Sequence, residues 1–98
     1  MISTKQRAKL KKLAHEITPS VQIGKDGLTE NVVSQIDVVL ENKELVKIKI
    51  LKTADLDAKE LINDLAKTLN AEPIIAVGGV IVLYRFSQKK GIKHIELR

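Results

Sequence analysis

Apolar positions recur along the chain with two different periods, and the changes between them mark out the elements. From Thr4 to Glu16 the spacing is helical. Leu10, Leu13, Ala14 and Ile17 make one stripe, and Lys5, Lys9 and Lys12 gather on the opposite side. Thr18-Pro19 ends that helix, because the residue before a proline is pushed out of helical dihedrals. Val21-Gln22-Ile23 reads as a short strand, and Gly24 to Gly27 as a turn. A second helix begins behind Thr29, a hydroxyl N-cap with Glu30 in the first turn, where the helix dipole favours an acid. It runs to Asn42 and buries Val32, Val33, Ile36, Val39 and Leu40. From Leu45 to Leu51 the period drops to two. Val46, Ile48 and Ile50 alternate with Lys47 and Lys49, as in a strand with one wet face. Asp57 and Glu60 form a capping-box pattern ahead of a third helix that buries Ala58, Leu61, Ile62, Leu65 and Leu69; Asn70 and Pro73 close it. Ile74 to Val77 and Val80 to Phe86 are β-rich runs joined by Gly78-Gly79, a two-residue hairpin signal of the kind that needs positive φ. Lys93 to Leu97 alternates again and predicts a short edge strand.

The order is therefore α-β-α-β-α-β-β. Strands separated by helices favour crossovers, and the final hairpin is antiparallel, so the sheet should be mixed. The expected fold is an α/β (α+β) sandwich in which a four-stranded mixed sheet packs with helices. Lys47 and Lys49 should sit on whatever part of the sheet the helices leave open. Residues 1–98 make a single domain without repeats or linkers, and residues 87–98 form a basic tail.

Composition narrows the chemistry. The apolar residues, 44% of the chain, are nearly all Ile, Leu and Val, with one Tyr, one Phe and no Trp. The absence of cysteine excludes disulfides and thiolate metal sites. His15 and His94 are far apart and lack ligand-spaced neighbours. No nucleophile–base set or paired catalytic carboxylates stand out. The expectation is a protein that is not an enzyme, with no metal, cofactor or small-molecule substrate. No apolar run has the length of a signal peptide or membrane span, so a cytoplasmic monomer with no membrane partner is expected.

The net charge of +5 is unevenly placed. Lys5, Arg7, Lys9, Lys11 and Lys12 occur within residues 1–15 without an acid. Arg85, Lys89, Lys90, Lys93 and Arg98 face only Glu96 within residues 85–98, while the middle of the chain is mildly acidic. Two readings stand: solvated basic ends, or the footprint of a polyanion partner.

The stretch Gln22-Ile23-Gly24-Lys25-Asp26-Gly27-Leu28-Thr29-Glu30 bears on that choice. A phosphate held by main-chain amides needs a turn that aims several N–H groups one way, no bulk in front of them, and a helix N-terminus behind. Gly24 and Gly27 supply the first two, the helix after Thr29 supplies the third, and Lys25 adds a cation. The competing reading is a plain strand-to-helix connection that needs two positive-φ residues. Asp26 opposes a phosphate by charge, yet is itself a favoured turn residue. The lysine precedes the second glycine and no third glycine follows, so neither a nucleotide P-loop nor a dinucleotide fingerprint is present.

Val21 to Thr29 resembles the signature of the CRM domain, the YhbY-like RNA-binding family, and Leu83-Tyr84-Arg85 resembles that family's second marker. The similarity runs from Lys9-Leu10 to Arg85. It implies a core similar to the C-terminal domain of translation initiation factor three, with Gly24–Gly27 as a KH-like GxxG loop. It also implies RNA as partner. For stand-alone bacterial members, which this single copy is similar to, that means ribosomal RNA in the maturing large subunit; plant members with several copies act in organelle intron splicing. Two departures stand out: Gly78-Gly79 where one glycine is usual, and Phe86 where proline often follows the arginine.

The candidate RNA-binding set is therefore Gly24, Lys25, Asp26, Gly27 and Thr29 at the turn, with Lys5, Lys9, Lys12, Lys47, Lys49 and Arg85 contributing phosphate contacts. Each cation also has a plainer reading. The lysines suit a solvated face, and Arg85 fits an ion pair as well as a phosphate fork. Tyr84 and Phe86 share one side of their strand and suit the core or its rim better than base stacking. With so few aromatics, recognition should rest on phosphates and RNA shape. The rival functions are a protein–protein adaptor with a basic surface and a DNA-binding module; an enzyme acting on a phosphorylated small molecule is more remote.

Overall fold

The computed structural model describes residues 2–97; Met1 and Arg98, the latter one of the basic tail residues named above, lie outside them. Helix α1 (Thr4–Glu16) is followed by β1 (Val21–Ile23), α2 (Glu30–Lys43), β2 (Leu45–Ile50), a 3-10 turn at Lys52–Ala54, α3 (Ala58–Leu69), β3 (Glu72–Val77) and β4 (Val80–Tyr84). The four strands form one sheet in the order β1-β2-β4-β3. β1 runs parallel to β2, and the other two pairings are antiparallel.

The sheet has a helical layer on each side. Val46, Ile48, Ile50, Ile81 and Leu83 face α2 and α3, which contribute Ile36, Leu40, Leu61, Ile62, Leu65 and Leu69. The opposite pleat, with Leu45, Val82, Tyr84 and Ile74, packs under Leu10 and Ala14 of α1. Each core residue predicted for the third helix is buried, because its apolar stripe is continuous over three turns. In α2 only Ile36 and Leu40 are fully buried, and Val32, Val33 and Val39 lie at the rim.

Helix ends follow local chemistry. Ser3 caps α1 in a full capping box with Gln6 that the sequence reading did not anticipate. The box expected at Asp57 and Glu60 is replaced by a shorter bond, in which Asp57 accepts from the Lys59 amide at 3.0 Å. At the hairpin only Gly78 takes a positive φ, +59°. Gly79 is required for a different reason. A Cβ there would stand 2.8 Å from the Ile50 carbonyl oxygen, where the Ile50 amide bonds Gly79 O at 2.7 Å.

Two expectations fail at the C-terminus. β4 stops at Tyr84: the Arg85 amide still bonds the carbonyl of Glu44, the residue opposite it, but Glu44 has left the extended conformation at φ +67°, and the ladder goes no further. The alternation from Lys93 to Leu97 does not make a strand. Ile95 and Leu97 do pack on the α1-side core, but the Ile95 amide donates to the Glu44 carboxylate at 2.8 Å instead of joining a ladder. The alternation coincides with partial burial of these two side chains.

Candidate nucleic-acid interface

The Gly24–Gly27 segment is a hydrogen-bonded turn at the carboxyl end of β1. The Gly27 amide donates to Gly24 O at 2.9 Å, and Thr29 then caps α2 by accepting from the Val32 amide at 3.2 Å. Gly27 takes φ +72°, which the turn requires and which suits glycine. Gly24 does not: its φ is ordinary, and an added Cβ would meet only Leu51 Cδ1 at 3.6 Å, a normal contact. A plain connection needing two positive-φ residues therefore accounts for one glycine of the pair. Among the described residues, the amides of Lys25, Asp26 and Leu28 have no intramolecular acceptor. They stand at the positive end of α2 and are the open donors of the turn. Gly27 supplies no free donor, since its N–H closes the turn. Asp26 is exposed, and its carboxylate bonds no turn amide among the described residues.

The predicted cations divide by location. Leu45, Lys47 and Lys49 project to the side of the sheet that α1 packs on. Lys49 is exposed there, paired across the ladders with Gln22 and Val80, one residue from the hairpin turn. Lys25 and Lys49 therefore lie at the same end of the sheet. Lys12 and Lys9 lie on α1, the first exposed and the second half-buried. Lys5 is exposed at the far end. Its turn of helix sits where Arg7 bonds Pro73 O and pairs with Glu72 at 3.7 Å. The length of β4, roughly 13 Å, separates that end from the hairpin turn.

Two of the cations expected at phosphates have partners within the fold. Lys47 Nζ lies 3.0 Å from Ala14 O and 3.2 Å from Ile17 O, so it satisfies carbonyls at the end of α1, where the helix dipole favours a cation. The face expected to lie open is partly roofed by α1. Arg85 takes the ion-pair reading. Its guanidinium reaches Asp37 Oδ1 at 2.8 Å, Glu41 Oε1 at 3.1 Å and Leu69 O at 2.9 Å, with 16% of the side chain exposed. It fastens the end of α3 to α2. Tyr84 is buried, whereas Phe86 is 59% exposed and stacks on His94 with ring centroids 4.6 Å apart.

The match to a family model decides the classification: it is the CRS1/YhbY (CRM) domain, over residues 2–85. The chain belongs to the CRS1/YhbY (CRM) domain family. It is 35% identical over 97 residues to the "Probable RNA-binding protein YqeI" of Bacillus subtilis, covering 99% of both chains. It is 40% identical over 93 residues to an RNA-binding protein of Haemophilus influenzae, covering 94% of this chain and 93% of that one. A solution structure of a hypothetical Staphylococcus aureus protein superposes with a TM-score of 0.80 at 43% identity over the full length of both chains. The CRM fold thus accounts for the three helices and the mixed sheet, and Leu83, Tyr84 and Arg85 of its second marker serve the architecture: two core side chains and an inter-helix clamp.

Sequence reasoning missed Glu44. This residue holds φ +67° just past α2, and its side chain is fully buried. Its carboxylate accepts from the Ser87 amide at 2.7 Å, the Ile95 amide at 2.8 Å and faces His94 Nδ1 at 2.8 Å. Burial alone would raise its pKa, but these bonds outweigh burial and hold the carboxyl below its ordinary value. Burial, with the Glu44 charge nearby, pushes the Tyr84 phenol up. No local pattern announces such a residue, since its partners lie about forty to fifty positions away.

Proposed function

We propose that this chain is a non-catalytic RNA-binding protein that holds ribosomal RNA during assembly of the large ribosomal subunit in the cytoplasm. The Gly24–Gly27 turn is its grip on the sugar-phosphate backbone. The observation that carries this reading is Gly24, which the fold does not require and which keeps the main chain bare beside three open amides at a helix N-terminus. Names given to the Bacillus and Haemophilus relatives support RNA as the class of partner. The cationic surface of α1 and Lys49 would supply long-range attraction, and Lys25 a mobile contact at the tip.

Gly24→Ala and Lys25→Asp test the grip. The methyl fits the fold, so the first variant should keep its melting temperature and still lose RNA affinity. If about four phosphates are neutralised on single-stranded RNA, log affinity should fall against log salt with a slope near −3, and Lys25→Asp should flatten it by roughly one contact. Unchanged affinity in both variants would move the site elsewhere. Crosslinking in cells, followed by sequencing of the attached RNA, tests the ribosomal target; recovery of only messenger or transfer RNA would refute it.

A further inference from the structure

An open groove lies between α2 and the outer edge of β1, lined by Ser20, Val21, Asn31, Ser34, Gln35, Val38 and Val39, with Asn31 one residue past the start of the helix that follows the turn. Asn31, Ser34, Gln35 and Val38 recur at i, i+3, i+4 and i+7, so they form one exposed stripe. In a chain where 30% of residues are charged, this stripe has no ionisable group. Of the acids of the same helix, Asp37 and Glu41 hold Arg85, and Glu30 stands in the first turn beside the Gly24–Gly27 segment. What the stripe offers is two carboxamides, a hydroxyl and the apolar surface of Val38, which is 56% exposed.

The edge strand adds a main-chain pair. The Leu51 amide donates to Ile23 O at 2.9 Å, so Ile23 faces β2. In a parallel ladder the preceding residue, Gln22, then turns its own N–H and C=O to the open edge. Strand addition by a peptide needs a run of such pairs, and a strand of three residues presents one. A single planar base needs no more than that.

We infer that this groove receives the bases of the single-stranded RNA whose backbone the turn holds, and that Asn31 and Gln35 read their edges; the inference rests on the RNA-binding reading above. Each carboxamide places a donor beside an acceptor, the arrangement carried by base edges. Val38 is the apolar wall for a base face. Charge sets the orientation. Lys49 projects from the α1 side of the sheet and α2 packs on the other, so phosphates lie toward the lysines and bases toward the uncharged stripe. Phosphate contacts position a strand without reading it, so sequence preference in this protein is the property of the stripe.

The test uses the full chain with four homopolymeric octaribonucleotides, in fluorescence anisotropy at two salt concentrations. Wild-type affinities should differ between best and worst base by about tenfold or more, the discrimination expected of one or two amide contacts. Asn31→Ala/Gln35→Ala should compress that spread to within about threefold and leave the salt slope unchanged, because no phosphate contact is removed. Alanine at exposed helical positions favours the helix, and circular dichroism checks that it persists. A spread that survives in the double variant, or a wild type that does not distinguish the bases, overturns the inference while RNA binding itself stands. Binding to none of the four removes the parent reading too. If RNA saturates the turn without shifting the amide resonances of Gln22 and Val38, the inference fails and the groove belongs to a protein partner.

Discussion

Glu44 occupies a position where backbone preference and side-chain bonding pull in opposite directions, so replacing it yields a prediction of sign. The residue ending α2 sits at φ +67°, a left-handed conformation in which glycine is ordinarily the better choice. Relief of that strain in Glu44→Gly is worth about 1 kcal/mol. Against it stands the loss of a buried carboxylate that accepts two main-chain amides, Ser87 and Ile95, and faces His94. Hydrogen bonds to a charged group contribute about 1.5–3 kcal/mol each when buried. His94 is 46% exposed, so its share is discounted. The two amides give about 3–6 kcal/mol, an upper bound, because the tail can leave the surface and return its donors to water. The expected net effect is a destabilisation of about 2–4 kcal/mol, a large part of the ~5–15 kcal/mol that holds a domain of this size together. Thermal unfolding followed by circular dichroism should show a midpoint lowered by roughly 10–20 °C. Hydrogen exchange at the Ser87 and Ile95 amides separates tail release from global unfolding. Glu44→Ala, which keeps the strain and loses the bonds, should be less stable still by about 1 kcal/mol.

The pH dependence has a fixed direction. The Glu44 carboxyl titrates below its ordinary 4.5 in the folded chain, so the unfolded chain binds the proton first as pH falls. Its contribution is complete above about pH 4.5 and is lost as pH drops through the lowered value. The stability gap between wild type and Glu44→Gly should therefore close on acidification. A glycine variant as stable as wild type at neutral pH, or a gap that persists in acid, refutes the account of Glu44 as a charged clasp.

Arg85→Lys keeps the charge and loses the fork that reaches Asp37, Glu41 and Leu69 O. It should lower stability by about 1–2 kcal/mol, discounted because both acids are half exposed, and leave the salt slope of RNA binding unchanged. Gly79→Ala drives a methyl to 2.8 Å from Ile50 O, so the β2–β4 contact must open; urea denaturation should show a loss of about 1–3 kcal/mol.

What the sequence disclosed and what it hid separate along physical lines. Interactions between near neighbours were legible. The apolar stripe of α3, the Thr29 cap, the Asn70 terminus in left-handed conformation and the Gly24–Gly27 turn all depend on residues within a few positions of one another. The fate of long polar side chains was not. The sequence places Lys47 on an open face and leaves Arg85 between an ion pair and a phosphate, because their partners, Ala14 and Ile17 for one, Asp37, Glu41 and Leu69 for the other, come together only when the layers stack. The tail gives the sharpest case. Its alternation accompanies partial burial of Ile95 and Leu97, and the inference from alternation to strand fails because a buried carboxylate takes the place of a neighbouring ladder at Ile95.

The same division bears on how a basic protein of this kind should be dissected. Net charge treats every lysine and arginine alike, yet a cation whose donors already meet carbonyls or carboxylates has little left for a phosphate. Lys47 and Arg85 are committed in this way, and Arg7 is tied to Pro73 O and Glu72. Lys25 and Lys49 have no acidic partner within ion-pair distance among the described residues and stand at one end of the sheet, beside amides that lack acceptors. Substituting the first group should change the melting temperature and leave the salt dependence of binding alone, whereas substituting the second should do the reverse. The two readouts together sort the +5 charge into a part that builds the fold and a part that faces a ligand, which binding affinity alone would confuse.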